Sequence, residues 1–224
     1  MEENKKCVDF NIDLAQDKNN EDKSFELIDD VSSVNIACGL HSGNPLSMKH
    51  AVEHCKFKSK VLGALIGFPE DVKEPLTLEQ EEIESIVLYQ LGAISAFAKA
   101  YSLNIEHVRP HGLMYEYLDN YDFAINLLNS VKKFNKWFIV YGPLSENFKR
   151  AAIDAKMNFA QEFIVNDETS IENLKKMFEG EIRPDTIHFH CTKDNTKTLI
   201  ENVREFAEPR PVNFNNVVSS GWVD

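Results

Sequence analysis

The stretch "SSVNIACGLHSGNPLSM" (Ser32–Met48) reads as a strand, a turn and the opening of a helix in one short run. Alternation along "SSVNIAC" puts Ser33 and Asn35 on one face and apolar residues on the other. Small and polar residues then fill the turn, and Asn44 and Pro45 fit the N-cap and first-turn positions of a helix. Met48, Ala51, Val52 and Cys55 follow at helical spacing, so that helix buries one face. A strand feeding straight into a helix is half of the crossover that parallel strands require.

The same unit repeats on either side. "CVDFNID" (7–13), "KVLGALIGF" (60–68), "NIEHVRP" (104–110), "KWFIVYG" (136–142), "NFAQEF" (158–163) and "DTIHFH" (185–190) read as strands. Between and after them, helices are expected at 77–101, 119–134, 145–156, 168–179 and 194–207. The longest of these opens on a capping-box pattern at Thr77 and Gln80, and its apolar stripe is Ile83, Val87, Leu91, Ile94 and Ala98. About seven strand–helix units predict an α/β fold with a parallel sheet and helices outside it. The sheet either closes into a ring related to the TIM barrel or stays open and doubly wound. Both arrangements put a site at the C-terminal ends of the strands. Residues 1–224 are expected to form a single domain, with 1–6 and about 208–224 as tails.

Composition narrows the function classes. The 224 residues suffice for one substantial core, and the 43% hydrophobic content is ordinary for a soluble protein. A net charge of −12 argues against nucleic acid and anionic membranes as partners. No apolar run is long enough to span a bilayer, and "MEENKKCVDF" lacks the apolar segment of a signal peptide. Cys7, Cys38, Cys55 and Cys191 show no CxxC spacing, which is consistent with a reduced, cytoplasmic protein.

One strand phase is polar throughout: Asp9, Asn11 and Asp13, then Ser33 and Asn35, then His107, Arg109 and His111, then Thr186, His188 and His190. Strands covered on both faces should be almost wholly apolar. Any single polar strand residue reads as a satisfied core group. Four strands doing this in one phase point to a shared interior that ends in a pocket. His50 and His54 lie off the apolar stripe and are expected to face solvent, and Cys38 with His41 lacks a second zinc-ligand pair.

"DFNIDLAQ" (9–16), "SSVNIACGLHSGNPLSM" (32–48), "VLYQLGAI" (87–94) and "VRPHGLMYE" (108–116) resemble, in order, the signature blocks of the LamB/YcsF family. "LGALIGFPED" (62–71) and "TIHFHCTKDNTKTLI" (186–200) match more weakly. The resemblance implies a parallel (β/α)7-type barrel of the glycoside hydrolase/deacetylase group. It also implies the A-type component of an ATP-dependent 5-oxoprolinase that opens the lactam of 5-oxo-L-proline to L-glutamate, together with B- and C-type partner subunits. Matched position by position, it gives Asp13, His111 and His41 as catalytic residues. Asn11, Asn35, Tyr115 and His190 would bind substrate, and Arg109, where the family usually has Lys, would hold a carboxylate.

This chain departs from the family pattern at several places. Ala15-Gln16 stands for Gly-Glu, Asn44 for Asp, Leu65-Ile66 for His-Pro, Ala160-Gln161-Glu162 for Ala-Asp-Arg, and His190-Cys191-Thr192 for His-Gly-Asp. Gln is no carboxylate base and Leu transfers no proton. Two alternatives therefore stand beside the lactam hydrolase. One is a non-catalytic subunit that binds a small molecule. The other is a metal-dependent deacetylase-like hydrolase using Asp13 with His41 or His111.

Overall fold

A computed structural model describes residues 5–17, 23–180, 182–191 and 195–212. The described residues include eight strands: β1 (Lys6–Leu14), β2 (Ser33–Ala37), β3 (Val61–Ile66), β4 (Ile105–Pro110), β5 (Ile139–Pro143), β6 (Asn158–Val165), β7 (Thr186–Phe189) and β8 (Ala207–Pro209). The helices are α1 (Pro45–Phe57), α2 (Gln80–Ala100), α3 (Leu113–Glu116), α4 (Tyr121–Phe134), α5 (Glu146–Ala155), α6 (Glu168–Glu179) and α7 (Thr196–Arg204).

Strands β1 to β7 run parallel in sequence order, and β1 pairs with both β2 and β7. That double pairing closes the ring and decides for the barrel over the open sheet. Phe10, Ile12 and Leu14 on the outward phase of β1 are fully buried in the shell between barrel and helices. Helix α2 packs the expected stripe, with Ile83, Val87, Leu91, Ile94 and Ala98 all buried. Each large apolar side chain removed from water contributes about 1.5–3 kcal/mol.

The strand–turn–helix unit at 32–57 forms as its residues dictate. The Asn44 side chain accepts hydrogen bonds from the backbone N–H groups of Leu46 (2.9 Å) and Ser47 (3.0 Å), and Ser47 completes a capping box. Gly43 has φ +72°, and a Cβ there would lie 2.3 Å from the Ala15 carbonyl oxygen, so the turns after β1 and β2 pack directly together. Ala15 itself sits at φ +63°, a left-handed conformation that costs a non-glycine residue about 1–2 kcal/mol.

Four expectations about element ends are corrected. Helix α2 starts at Gln80 with a Glu79–Glu82 capping box, because Pro75–Thr77 is already wound into a 3-10 turn and Leu78 is extended. Helices α4 and α7 are shorter than expected, since a 3-10 turn takes Tyr117–Asp119 and α7 ends at Arg204. The chain from 208 onward is not all tail. Ala207–Pro209 pairs with β1 at Lys6–Val8, and Val212 is buried with Ile139, Tyr141 and Ala160 in an apolar cluster separate from the main core. Residues 1–4 and 213–224 of the expected tails lie outside the described residues.

Candidate functional site

The polar strand phase points into the barrel. At the N-terminal end, Asp9 is buried and accepts hydrogen bonds from Ser32 (2.7 Å), Ser33 (2.9 Å), Tyr141 (3.1 Å) and Thr186 (2.6 Å). Burial raises its pKa despite those donors. One layer up, the Asn11 amide nitrogen donates to Thr186 Oγ1 at 2.7 Å, while its oxygen accepts from Asn35 Nδ2 and from His188 Nδ1, each at 2.8 Å. Asn35 Nδ2 also donates to Asp13 Oδ1 at 3.0 Å, and Asn35 Oδ1 accepts from His107 Nε2 at 2.8 Å.

These bonds settle two tautomers. An amide oxygen only accepts, so His188 carries its proton on Nδ1 and His107 on Nε2. His107 fits because Gly63 faces it across the β3–β4 pair. A Cβ at Gly63 would stand 2.0 Å from the imidazole. The His107 ring stacks on Tyr141 at a centroid distance of 4.2 Å. Burial pushes the His107 pKa down to about 3, with the Arg109 charge adding to the effect.

Toward the C-terminal ends lies a second charged layer. Arg109 donates through Nε and Nη2 to Glu162 (2.9 and 2.8 Å) and through Nη1 to Asp13 at 3.3 Å. All three side chains are at most 3% exposed. Burial works against the guanidinium charge, yet Asp13 and Glu162 together hold its pKa above the ordinary value. Tyr115 lies beside the guanidinium with its ring centroid 5.1 Å away, and burial followed by Glu162 raises its phenol pKa.

Asp13 is the hub of the mouth. Its Oδ2 accepts from Gln16 Nε2 at 3.1 Å and lies 3.7 Å from His188 Nε2 and 4.0 Å from His111 Nε2. His188 Nε2 is the lone-pair nitrogen of its ring, so two acceptors face one another there. His111 and His41 stand side by side with ring centroids 5.1 Å apart. Burial lowers both pKa values to about 4, helped at His111 by the Arg109 charge and at His41 by His111. His41 rests on Gly67, whose missing side chain leaves room for the ring. His190 packs edge-on to His188 at 5.1 Å.

The structure therefore brings Asn11, Asp13, Asn35, Arg109, His111, Tyr115, His41 and His190 to one end of the barrel. Arg109 is the exception in its use, because its Nε, Nη1 and Nη2 each donate to Glu162 or Asp13. Of the substituted positions, Gln16 lies against Asp13, where its amide donates and a glutamate would repel. Gln161 has the outward phase of β6, and Asn44 is engaged in capping α1, so neither adds to the interior chemistry. Leu65 is buried in the Arg109 layer. Sequence patterning does not single out Glu162 or Tyr141, and it gives His107 and His188 only as members of the polar phase. Extending the same alternation to "AQEF" and "IVYG" places Glu162 and Tyr141 inside. Cys38 is packed, as its phase predicts, and burial pushes its thiol pKa up. His54 is exposed and His50 partly so.

The donor set does not fit the metal site of a deacetylase. Among the described residues no group of three His, Cys, Asp or Glu side chains is spaced to hold a metal ion, and the cation beside Asp13 is Arg109.

Fold and site together define a TIM-like parallel α/β barrel with a polar, largely buried site at the C-terminal ends of its strands. The LamB/YcsF family profile matches residues 8–174, and the chain belongs to that family. The A component of the 5-oxoprolinase of Bacillus cereus is 33% identical over 165 residues, which is 69% of this chain and 64% of that protein. The lactam utilization protein of Thermus thermophilus superposes with a TM-score of 0.82 at 27% identity, over 92% of this chain and all of the other. A chitinase from Pseudoalteromonas aurantia, with TM-score 0.51 and 10% identity over 87% of this chain and all of that one, shares the fold alone. No helix among the described residues is long and apolar enough to cross a membrane.

Proposed function

We propose that this chain is a hydrolase of the 5-oxoprolinase A-component type, opening a small lactam in an ATP-dependent complex with B- and C-type partner subunits. The observation that carries the reading is the convergence of Asp13, His111 and His188 at the mouth of a barrel of this family. The lactam would be that of 5-oxo-L-proline or a close relative. An unstrained lactam resists water, and ATP would supply activation of its oxygen. The chain's own residues then have two tasks. Asp13 Oδ2 and His188 Nε2, both acceptors, take up the ring N–H and fix its orientation. His111, beside Asp13 and only partly covered, carries a proton between water and the departing nitrogen. Asn11 and Asn35 hold Asp13 and His188 in place.

The test is co-expression with B- and C-type subunits and measurement of ATP-dependent ring opening of 5-oxoproline and its neutral analogues. Turnover should fall at least about a hundred-fold in His111→Ala, the usual scale for a lost general acid or base. Absence of turnover above that variant for every lactam would sink the proposal. A non-catalytic binding subunit is the second reading, supported by Arg109 holding Asp13 in an ion pair. It expects a lactam to raise the melting temperature without being opened.

A further inference from the structure

Helix α2 lies outside the barrel, and its stretch "VLYQLGAI" (Val87–Ile94) buries an apolar stripe. Gln90 interrupts that stripe, fully buried on the same face as Val87, Leu91 and Ile94. A leucine there would serve packing alone, and a buried amide is costly unless its hydrogen bonds are made. Here they are made, and most of them converge on one residue. Gln90 Oε1 accepts from the Gly67 N–H at 2.9 Å. Its Nε2 donates to the Gly67 carbonyl at 3.0 Å and to the Ile86 carbonyl at 3.1 Å. The helix thus grips both backbone groups of the first residue after β3.

Gly67 in turn carries two histidines of the mouth. The peptide unit joining Ile66 to Gly67 donates its N–H to Gln90 and accepts the His111 N–H on its carbonyl at 2.8 Å. Where Gly67 lacks a side chain, His41 fills the space: a Cβ there would stand 2.8 Å from His41 Cγ. His41 follows β2 and His111 follows β4, yet their ring centroids lie 5.1 Å apart. One glycine therefore sets the spacing of both rings, and Gln90 sets the glycine. Without that grip Gly67 would be the most freely moving link between them.

We propose that Gln90 is a positioning residue of the mouth: its two-point grip on Gly67 fixes the His41 ring against His111. This rests on reading the mouth as a lactam-opening site. It adds to that site a residue that lies outside the barrel and touches no substrate.

Two measurements on Gln90→Met test it: imidazole NMR of the full chain, and turnover of 5-oxoproline by the complex. The variant keeps the length of the side chain and removes both contacts with Gly67. The Overhauser contact between the His41 and His111 ring protons, expected in the wild type, should be lost. Turnover should show kcat lowered at least about ten-fold with KM little changed. Val87→Ala, a packing change on the same buried face, should keep both while lowering the urea midpoint. In Gln90→Glu near pH 5 a protonated carboxyl offers Gly67 the same acceptor and donor, so the ring contact should return. Should Gln90→Met not fold, Gln90→Glu decides: contact near pH 5 and none near pH 9 upholds the proposal, and the same result at both overturns it. The proposal is also overturned by a ring contact missing in the wild type, intact in Gln90→Met, or equally lost in Val87→Ala. A lost contact with kcat unchanged overturns it while keeping the hydrolase. If the wild-type complex opens no lactam, the hydrolase reading falls and the ring contact alone judges Gln90.

Discussion

Glu162 and Arg109 are sealed in the barrel with each other as principal partners, and Asp13 shares the same guanidinium. Removing one member of such a pair leaves a buried charge uncompensated. Glu162→Ala is therefore expected to cost about 3–5 kcal/mol, read as a lowered urea midpoint. A change under about 1 kcal/mol would show that water reaches Arg109 and that the layer is not sealed. Asp13, Asn11 and Asn35 could be placed by strand alternation because each lies on a strand whose other phase is plainly apolar. Glu162 could not be paired with Arg109 that way, since the two are 53 residues apart and meet only across the barrel. The role of Arg109 changed for that reason. Its charge type was legible, but not which carboxylate it would satisfy.

Asn44 and Val212 show what single residues do for their elements. Asn44 satisfies two orphan N–H groups at the start of α1. Asn44→Ala should cost about 1 kcal/mol in a denaturation experiment, and Asn44→Asp only a few tenths, because both side chains cap well. A loss of ring-opening activity in Asn44→Asp without loss of stability would contradict the purely structural role. Val212 follows β8 and packs with Ile139, Tyr141 and Ala160. Val212→Ala should lower stability by about 1–2 kcal/mol through lost burial and a small cavity. The short strand β8 escaped sequence reading because "AEPRPV" has no alternation and two prolines. It forms because the start of β1 offers unpaired backbone groups, as the Arg210 N–H donating to the Val8 carbonyl at 2.9 Å illustrates.

At the scale of the whole molecule the buried histidines make stability depend on pH. Their folded pKa values lie below the ordinary value of 6.5, at about 3 for His107 and about 4 for His41 and His111, with His188 also lowered. Below about pH 6.5 the unfolded chain binds protons that the folded chain refuses, so stability is full above that pH and falls as the medium is acidified toward pH 4. Each fully buried imidazole, His107 and His188, contributes up to about 1.4 kcal/mol per pH unit in that window. Urea unfolding near pH 8 and near pH 5 measures it, and His107→Gln should remove one share of the slope. Because the raised pKa of buried Asp9 acts in the opposite sense, the variant decides: a slope unchanged in His107→Gln would mean that His107 is protonated in the fold. The sequence by itself determined the strand–helix repeat, the outward apolar stripes and the identity of the inward polar phase, because period and capping are local properties of the chain. Ring closure, which that repeat leaves open, is implied by the family resemblance and borne out by the pairing of β1 with both β2 and β7. Only the tertiary structure decided that Glu162 neutralises Arg109, and that His188 presents a bare nitrogen to Asp13. Those outcomes depend on side chains from distant strands meeting inside one ring, where burial makes each pairing obligatory and no local pattern records it.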